Sequence, residues 1–171
     1  MQIGNKRSYR ALQSLMTGRL LENEIDTACR QYALDGRAVI YKTPESFRCI
    51  SKKPSGRFTG QFTGRAQPDY QGTLRGGKSI IFEAKFTDKD RIQQSVLTKT
   101  QFDMLAQHLE TRAAVYICCG IADKYYMIPF NIWSNMKAVF GRSYIVQQDI
   151  NAYQVKRTMA AVMFLDYIHP K

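Results

Sequence analysis

Apolar residues return along this chain at two different periods. From Gly18 onward, Leu21, Ile25, Ala28 and Tyr32 recur every three or four positions, which predicts an amphipathic helix ending near Leu34-Asp35-Gly36. Short β-branched and aromatic runs follow. Residues 37–42 (RAVIYK), closed by Thr43-Pro44, and residues 47–50 predict strands. Residues 79–85 (SIIFEAK), bounded by glycines and by Thr87-Asp88, predict a buried strand, and residues 113–120 and 125–128 two adjoining ones. Helical spacing resumes over residues 98–109, with Phe102, Leu105, Ala106 and Leu109 inward and Gln101 one turn before Leu105. Residues 87–95 read as a loop and 129–133 as the start of a short helical segment. Residues 156–167 (KRTMAAVMFLDY) read as a C-terminal helix packed on the core.

One charged group interrupts this pattern. Along the 79–85 strand, Glu83 and Lys85 share one face while Phe82 and Ala84 share the other. Charge at the end of an apolar strand is costly unless it is paired or holds a metal. Pro68-Asp69-Tyr70 precedes this strand across a glycine turn at Gly76-Gly77. A three-residue loop sets Asp69 opposite Glu83 or Lys85, on their face. A two-residue loop turns it away. A working site therefore needs the longer loop or a bulge, both of which Gly76 and Gly77 permit. Two carboxylates suit Mg²⁺ or Mn²⁺, and an adjacent ammonium suits phosphodiester hydrolysis. Taken alone, these residues read as readily as a surface ion pair with Asp69 in a turn. Glu22 lies at the edge of the first helix's apolar stripe, facing toward such a site, although an acid there also favours the helix dipole.

Charge favours the first reading. The chain has 171 residues and a formal net charge of +11, which points to a polyanionic partner, nucleic acid above all. A hydrophobic fraction of 44% supports one globular domain over residues 1–171. Basic residues cluster in two places. Residues 1–17 carry Lys6, Arg7 and Arg10 and read as a flexible arm, either phosphate-binding or simply disordered. Residues 51–67 (SKKPSGRFTGQFTGRAQ) interleave Lys52, Lys53, Arg57 and Arg65 with Phe58 and Phe62, as a mobile loop or a projecting β-ribbon. Cations for phosphates and rings for stacking are what DNA contact requires. Cys29, Cys49, Cys118 and Cys119 form no CxxC and are not spaced with His108 or His169 as zinc ligands, so reduced, mostly buried thiols are expected. The N-terminus lacks the apolar core of a signal peptide, and no apolar run is long enough to span a bilayer. A soluble, cytoplasmic protein is expected.

The ordered set of motifs resembles the RecU-type Holliday junction resolvases of Gram-positive bacteria and their phages, within the PD-(D/E)xK nuclease superfamily. The resemblance runs from Gly18 to Trp133. It is carried by Gly18, Leu21-Glu22 and Ile25, by Ala38-Val39-Ile40 and Lys42-Thr43-Pro44, by Asp69-Tyr70 with Gly72, by Phe82-Glu83-Ala84-Lys85, by Gln101, and by Tyr126 with Ile128. It implies a restriction-endonuclease-like α/β fold, three layers (α/β/α) around a mixed central sheet, with residues 51–67 as a basic stalk that enters the junction. It also implies a homodimer that makes paired nicks in four-way DNA junctions, and it admits a recombinase as a further partner. On this resemblance Asp69, Glu83 and Glu22 would be metal ligands for Mg²⁺ or Mn²⁺, Lys85 would activate the attacking water, and Gln101 would support the site. Lys6, Arg7, Arg10, Lys52, Lys53, Arg57, Phe58, Phe62 and Arg65 are the expected DNA contacts. The insertion is shorter than in bacterial relatives, Pro68 stands where they usually have a small hydroxyl residue, and residues 134–171 match less clearly, as in a phage or divergent member. Two alternatives stand beside this reading: a less selective nuclease of the same superfamily, and a junction-binding protein without turnover.

Overall fold

The computed structural model describes residues 3–44, 47–62 and 67–168, with side chains from residue 16 onward except those of 47 and 62. In chain order the elements are helix α1 (Ile3–Leu34), strands β1 (Ala38–Lys42), β2 (Phe47–Lys52), β3 (Phe58–Phe62), β4 (Tyr70–Leu74), β5 (Ser79–Thr87) and β6 (Arg91–Gln93), and helix α2 (Lys99–Glu110). Strands β7 (Ala114–Ile121) and β8 (Lys124–Pro129) follow, then short helices α3 (Phe130–Ser134) and α4 (Met136–Phe140), and strands β9 (Tyr144–Val146), β10 (Val155–Arg157) and β11 (Val162–Tyr167).

Five strands form the central sheet in the order β1-β4-β5-β7-β8. Only β5 and β7 run parallel, joined through α2; the other neighbours are antiparallel, so the sheet is mixed. Each face has its own core. On one side, Leu21, Ile25, Ala28 and Tyr32 of α1 meet Ile40, Tyr70, Ile80 and Phe82. On the other, Leu105 of α2 joins Phe130, Trp133, Ile81, Ile117 and Ile128. Neighbouring Cys118 and Cys119 point into opposite cores, as strand alternation requires. They and Cys29 are buried free thiols, whereas Cys49 is exposed. Helices on both faces of one sheet make the expected three-layer α/β/α arrangement. Gly72, opposite Ile40, is required by close approach: a Cβ there would overlap the Val39 carbonyl oxygen.

Three local expectations are corrected. Residues 156–167 form no helix. They contribute the hairpin β10–β11, turned at Thr158, whose N–H donates to the Ala161 carbonyl at 2.9 Å. Val162 and Phe164 are fully buried against α1, with the less buried Met163 between them, which is a period of two. Packing on α1 overrides the helical propensity of the methionines and alanines. Residues 87–95 are not all loop either, because β5 runs on to Thr87 and β6 pairs with β9. The backbone of residues 3–17, expected as a separate flexible arm, continues helix α1; the side chains of Lys6, Arg7 and Arg10 lie outside the described residues.

The segment before Asp69 takes the ribbon form. Among the described residues, strands β2 and β3 pair only with each other, and almost every described side chain on them is exposed. The ribbon begins at Phe47, earlier than the basic segment itself. Arg65 lies outside the described residues.

Candidate active site

The site is built on the hairpin β4–β5. Leu74 donates its N–H to the Lys78 carbonyl at 2.8 Å, which leaves Arg75, Gly76 and Gly77 as a three-residue loop. Gly76 and Gly77 have φ of +92° and +89°, a region in which only glycine is at ease. The register Tyr70↔Phe82 then places Asp69 opposite Glu83. This is the arrangement a working site needs, and the longer loop provides it. Asp69 is held at both ends: its backbone carbonyl accepts the Thr43 N–H at 2.8 Å, and its Oδ2 accepts the Ala84 N–H at 2.9 Å.

Glu83 is fully buried. Its Oε2 accepts from Lys85 Nζ at 2.7 Å and from Gln101 Nε2 at 2.8 Å, while its Oε1, equally buried, has no partner among the described residues. Burial, reinforced by the Asp69 charge, pushes its carboxyl up to about 7 against the pull of the Lys85 ammonium. Lys85 Nζ also lies 3.8 Å from Asp69 Oδ2, so one cation faces both acids.

Gln101 is aimed by a helix cap. Thr98 precedes α2, its Oγ1 accepting the Gln101 N–H at 3.2 Å while Gln101 Oε1 accepts the Thr98 N–H at 3.1 Å. With Oε1 engaged there, the amide nitrogen turns to Glu83. The signal was legible as Thr-x-x-Gln at a helix start, but the sequence reading placed Gln101 without it.

Glu22 does not join this group. It belongs to α1, on the opposite face of the sheet from Glu83 and Gln101, and its Oε2 accepts from Lys42 Nζ at 2.7 Å. Among the described residues, no three His, Cys, Asp or Glu side chains come together to hold an ion. Helical spacing located Glu22 on its stripe correctly but could not show which face of the sheet the stripe would cover. Lys42 itself was given no role beforehand. Burial works against its charge, but the bond to Glu22 and the charges of Glu22, Asp26 and Asp69 prevail and raise its pKa. On the ribbon, Lys52, Lys53, Arg57 and Phe58 are exposed as a contact surface needs, and so is Arg48, which the sequence reading passed over. Phe62 lies in β3, with its side chain outside the described set.

The donors fit a hard divalent cation. Two carboxylates meet there, and one keeps a buried oxygen, Glu83 Oε1, that nothing among the described residues satisfies. A mixed sheet between helices, with Asp69 beside β4 and Glu83-x-Lys85 on β5, defines the class as a PD-(D/E)xK-type nuclease. The chain belongs to the RecU family (recombination protein U), whose sequence model matches residues 16–170 and so extends beyond Trp133, through the segment where the resemblance was faintest. It is accordingly a Holliday junction resolvase, a crossover junction endodeoxyribonuclease that cuts four-way DNA junctions by paired, metal-dependent nicks. No curated protein sequence matches it significantly. Among solved structures it is similar to Hjc of Archaeoglobus fulgidus, a Holliday junction resolvase from an archaeal hyperthermophile. The two are 11% identical, with a TM-score of 0.41 over 72% of this chain and 85% of that one. No helix among the described residues is long and apolar enough to cross a membrane.

Proposed function

We propose that Asp69 and Glu83 hold the divalent cation, Mg²⁺ or Mn²⁺, and that Lys85 is the positioning cation of the reaction. The observation that carries this reading is the unpartnered, fully buried Glu83 Oε1 beside an Oε2 already occupied by Lys85 and Gln101. Bound there, the ion supplies charge to the scissile phosphate and lowers the pKa of a water. The chain's own residues do the rest. Lys85, between both carboxylates, orients the attacking water and offsets charge that develops on the phosphate. Gln101 fixes Glu83 through Oε2, which would leave Oε1 free to hold the ion. Glu22 acts as the counter-charge of Lys42 and is left out of the proposed ligands. Replacing Gln101 with Ala is expected to cost roughly 10–100-fold in metal affinity or cleavage, with junction binding unchanged. A titration of cleavage against Mn²⁺ reads this out as a raised half-saturating concentration.

The enzyme works as a homodimer, with two sites nicking opposed strands in the cytoplasm, and the ribbon β2–β3 enters the junction centre. A narrow, basic, exposed ribbon suits the open centre of a branched molecule better than the groove of a continuous duplex. The test is cleavage of a labelled four-way junction beside linear duplex of the same sequence, with and without Mg²⁺ or Mn²⁺, and with Asp69→Ala as control. Paired nicks confined to the junction, and lost preference when residues 51–58 are replaced by a short turn, are the expected results. Equal cutting of both substrates by the intact protein would remove the stalk's role.

A further inference from the structure

Helix α2 covers only part of its face of the central sheet. Strands β1 and β4 are buried from the α1 side alone, and their alternation records it. Ala38, Ile40 and Tyr70 are buried, while Val39, Tyr41, Gln71 and Thr73 are exposed on the other face. The open strip forms a groove of about 630 Å³, with Tyr41, Gln71 and Thr73 on its floor and Lys78, His108 and Arg112 on its rims. None of its lining residues is acidic.

The groove opens on the sheet face that carries Asp69 and Glu83. Asp69, Gln71 and Thr73 follow one another on one face of this segment, and Ser79, Ile81 and Glu83 on the same face of β5. Its lining begins two residues beyond the carboxylates on each strand, roughly 7 Å away at about 3.3 Å per residue, and runs on toward the β4–β5 loop. Arg112 adds a second observation. It sits just past the C-cap Thr111 of α2 with φ of 65°, a left-handed position that glycine usually fills. An arginine there is strained, yet it brings a cation to the groove's rim.

We propose that this groove binds the sugar–phosphate backbone of a junction arm. Lys78 and Arg112 would contact phosphates, and Gln71, Thr73 and Tyr41 would meet the backbone as hydrogen-bonding groups. A second copy of the chain fits this face poorly, because a two-fold contact would set two basic, acid-free rims against each other in a protein of net charge +11. The inference rests on the family's junction-cutting activity and not on the roles proposed for Asp69, Glu83 and Lys85. Binding can therefore be read without metal and without turnover.

The test is junction binding by fluorescence anisotropy in metal-free buffer over a salt series, with thermal unfolding and sedimentation mass measured alongside. Arg112→Gly relieves the strained backbone, so its unfolding temperature is expected to stay level or rise while junction affinity falls several-fold. Lys78→Glu is expected to weaken binding about tenfold. Each variant should make the slope of log K against log salt shallower by about 1, as loss of one phosphate contact predicts. The oligomer's mass should not change. Affinity and slope equal to wild type in both variants would overturn the groove alone. Dissociation of the oligomer by Lys78→Glu would assign the face to a second copy and overturn it as well. A wild-type protein that neither binds nor cuts the junction would overturn the family activity and the groove together.

Discussion

Glu83→Gln and Asp69→Asn are each expected to lower junction cleavage at least a thousandfold while leaving junction affinity unchanged or stronger. Both replacements keep the side chain's shape and remove a charge. The opposed carboxylates are the two acids that the Lys85 ammonium faces. In the proposed roles, ion and ammonium would act on charge that develops during the reaction, where such groups are worth several kcal/mol, and about 1.4 kcal/mol corresponds to a factor of ten. DNA approaching the site is an anion, so removing a carboxylate lessens repulsion. Single-turnover cleavage of a labelled junction, beside its dissociation constant in the same buffer without metal, checks both halves. Binding that collapsed along with cleavage in both variants would make these residues contacts or folding elements instead of catalysts.

The second large effect concerns stability in the absence of metal. Burial raises the Glu83 carboxyl from its ordinary range to about 7 in the folded state. Between the unfolded value, about 4.5, and about 7, the folded protein holds a proton that the unfolded chain has released. Stability must therefore fall as pH rises through this window. At 1.36 kcal/mol per pKa unit the loss from this group is about 3 kcal/mol, fully expressed only above the folded value. Glu83→Gln abolishes the titration. It should unfold at a higher temperature than wild type at pH 8 without metal, with the difference closing toward pH 5. Adding Mg²⁺ or Mn²⁺ at pH 8 should raise the wild-type unfolding temperature much more than the variant's, because binding to the folded state alone stabilises it. Thermal unfolding across pH 5–9 with and without metal measures this. Parallel curves for the two proteins would exclude a buried, ion-binding carboxylate at position 83.

Much of the site was legible before the fold was known. Alternation along residues 79–85 placed Glu83 and Lys85 together, and two glycines at 76 and 77 limited how the preceding strand could return. What alternation could not choose was the loop length. Loops of two and three residues leave the local hydrophobic pattern almost equally satisfied, and only the closure of Leu74 onto Lys78 sets Asp69 opposite Glu83. Glu22 shows the converse. Its position on the stripe of α1 was read correctly, but a stripe does not say which side of a sheet it will bury, and it buries the far side.

Local pattern, then, determined most strands of the central sheet, the helices α1 and α2, the basic segment before Asp69 and the chemistry of Asp, Glu and Lys, because those features depend on residues near one another in the chain. Residues 156–167 were misread for the same reason: their propensity is helical in isolation, and only the surface of α1, more than a hundred residues earlier, makes the two-residue period of Val162 and Phe164 the favourable one. Tertiary structure alone decided that Gln101 reaches Glu83, that Lys42 takes up Glu22, and that part of one sheet face stays open over β1 and β4. Each of these depends on how separate elements cover a sheet, and burial of a face is a property of the assembled layers, not of any one segment.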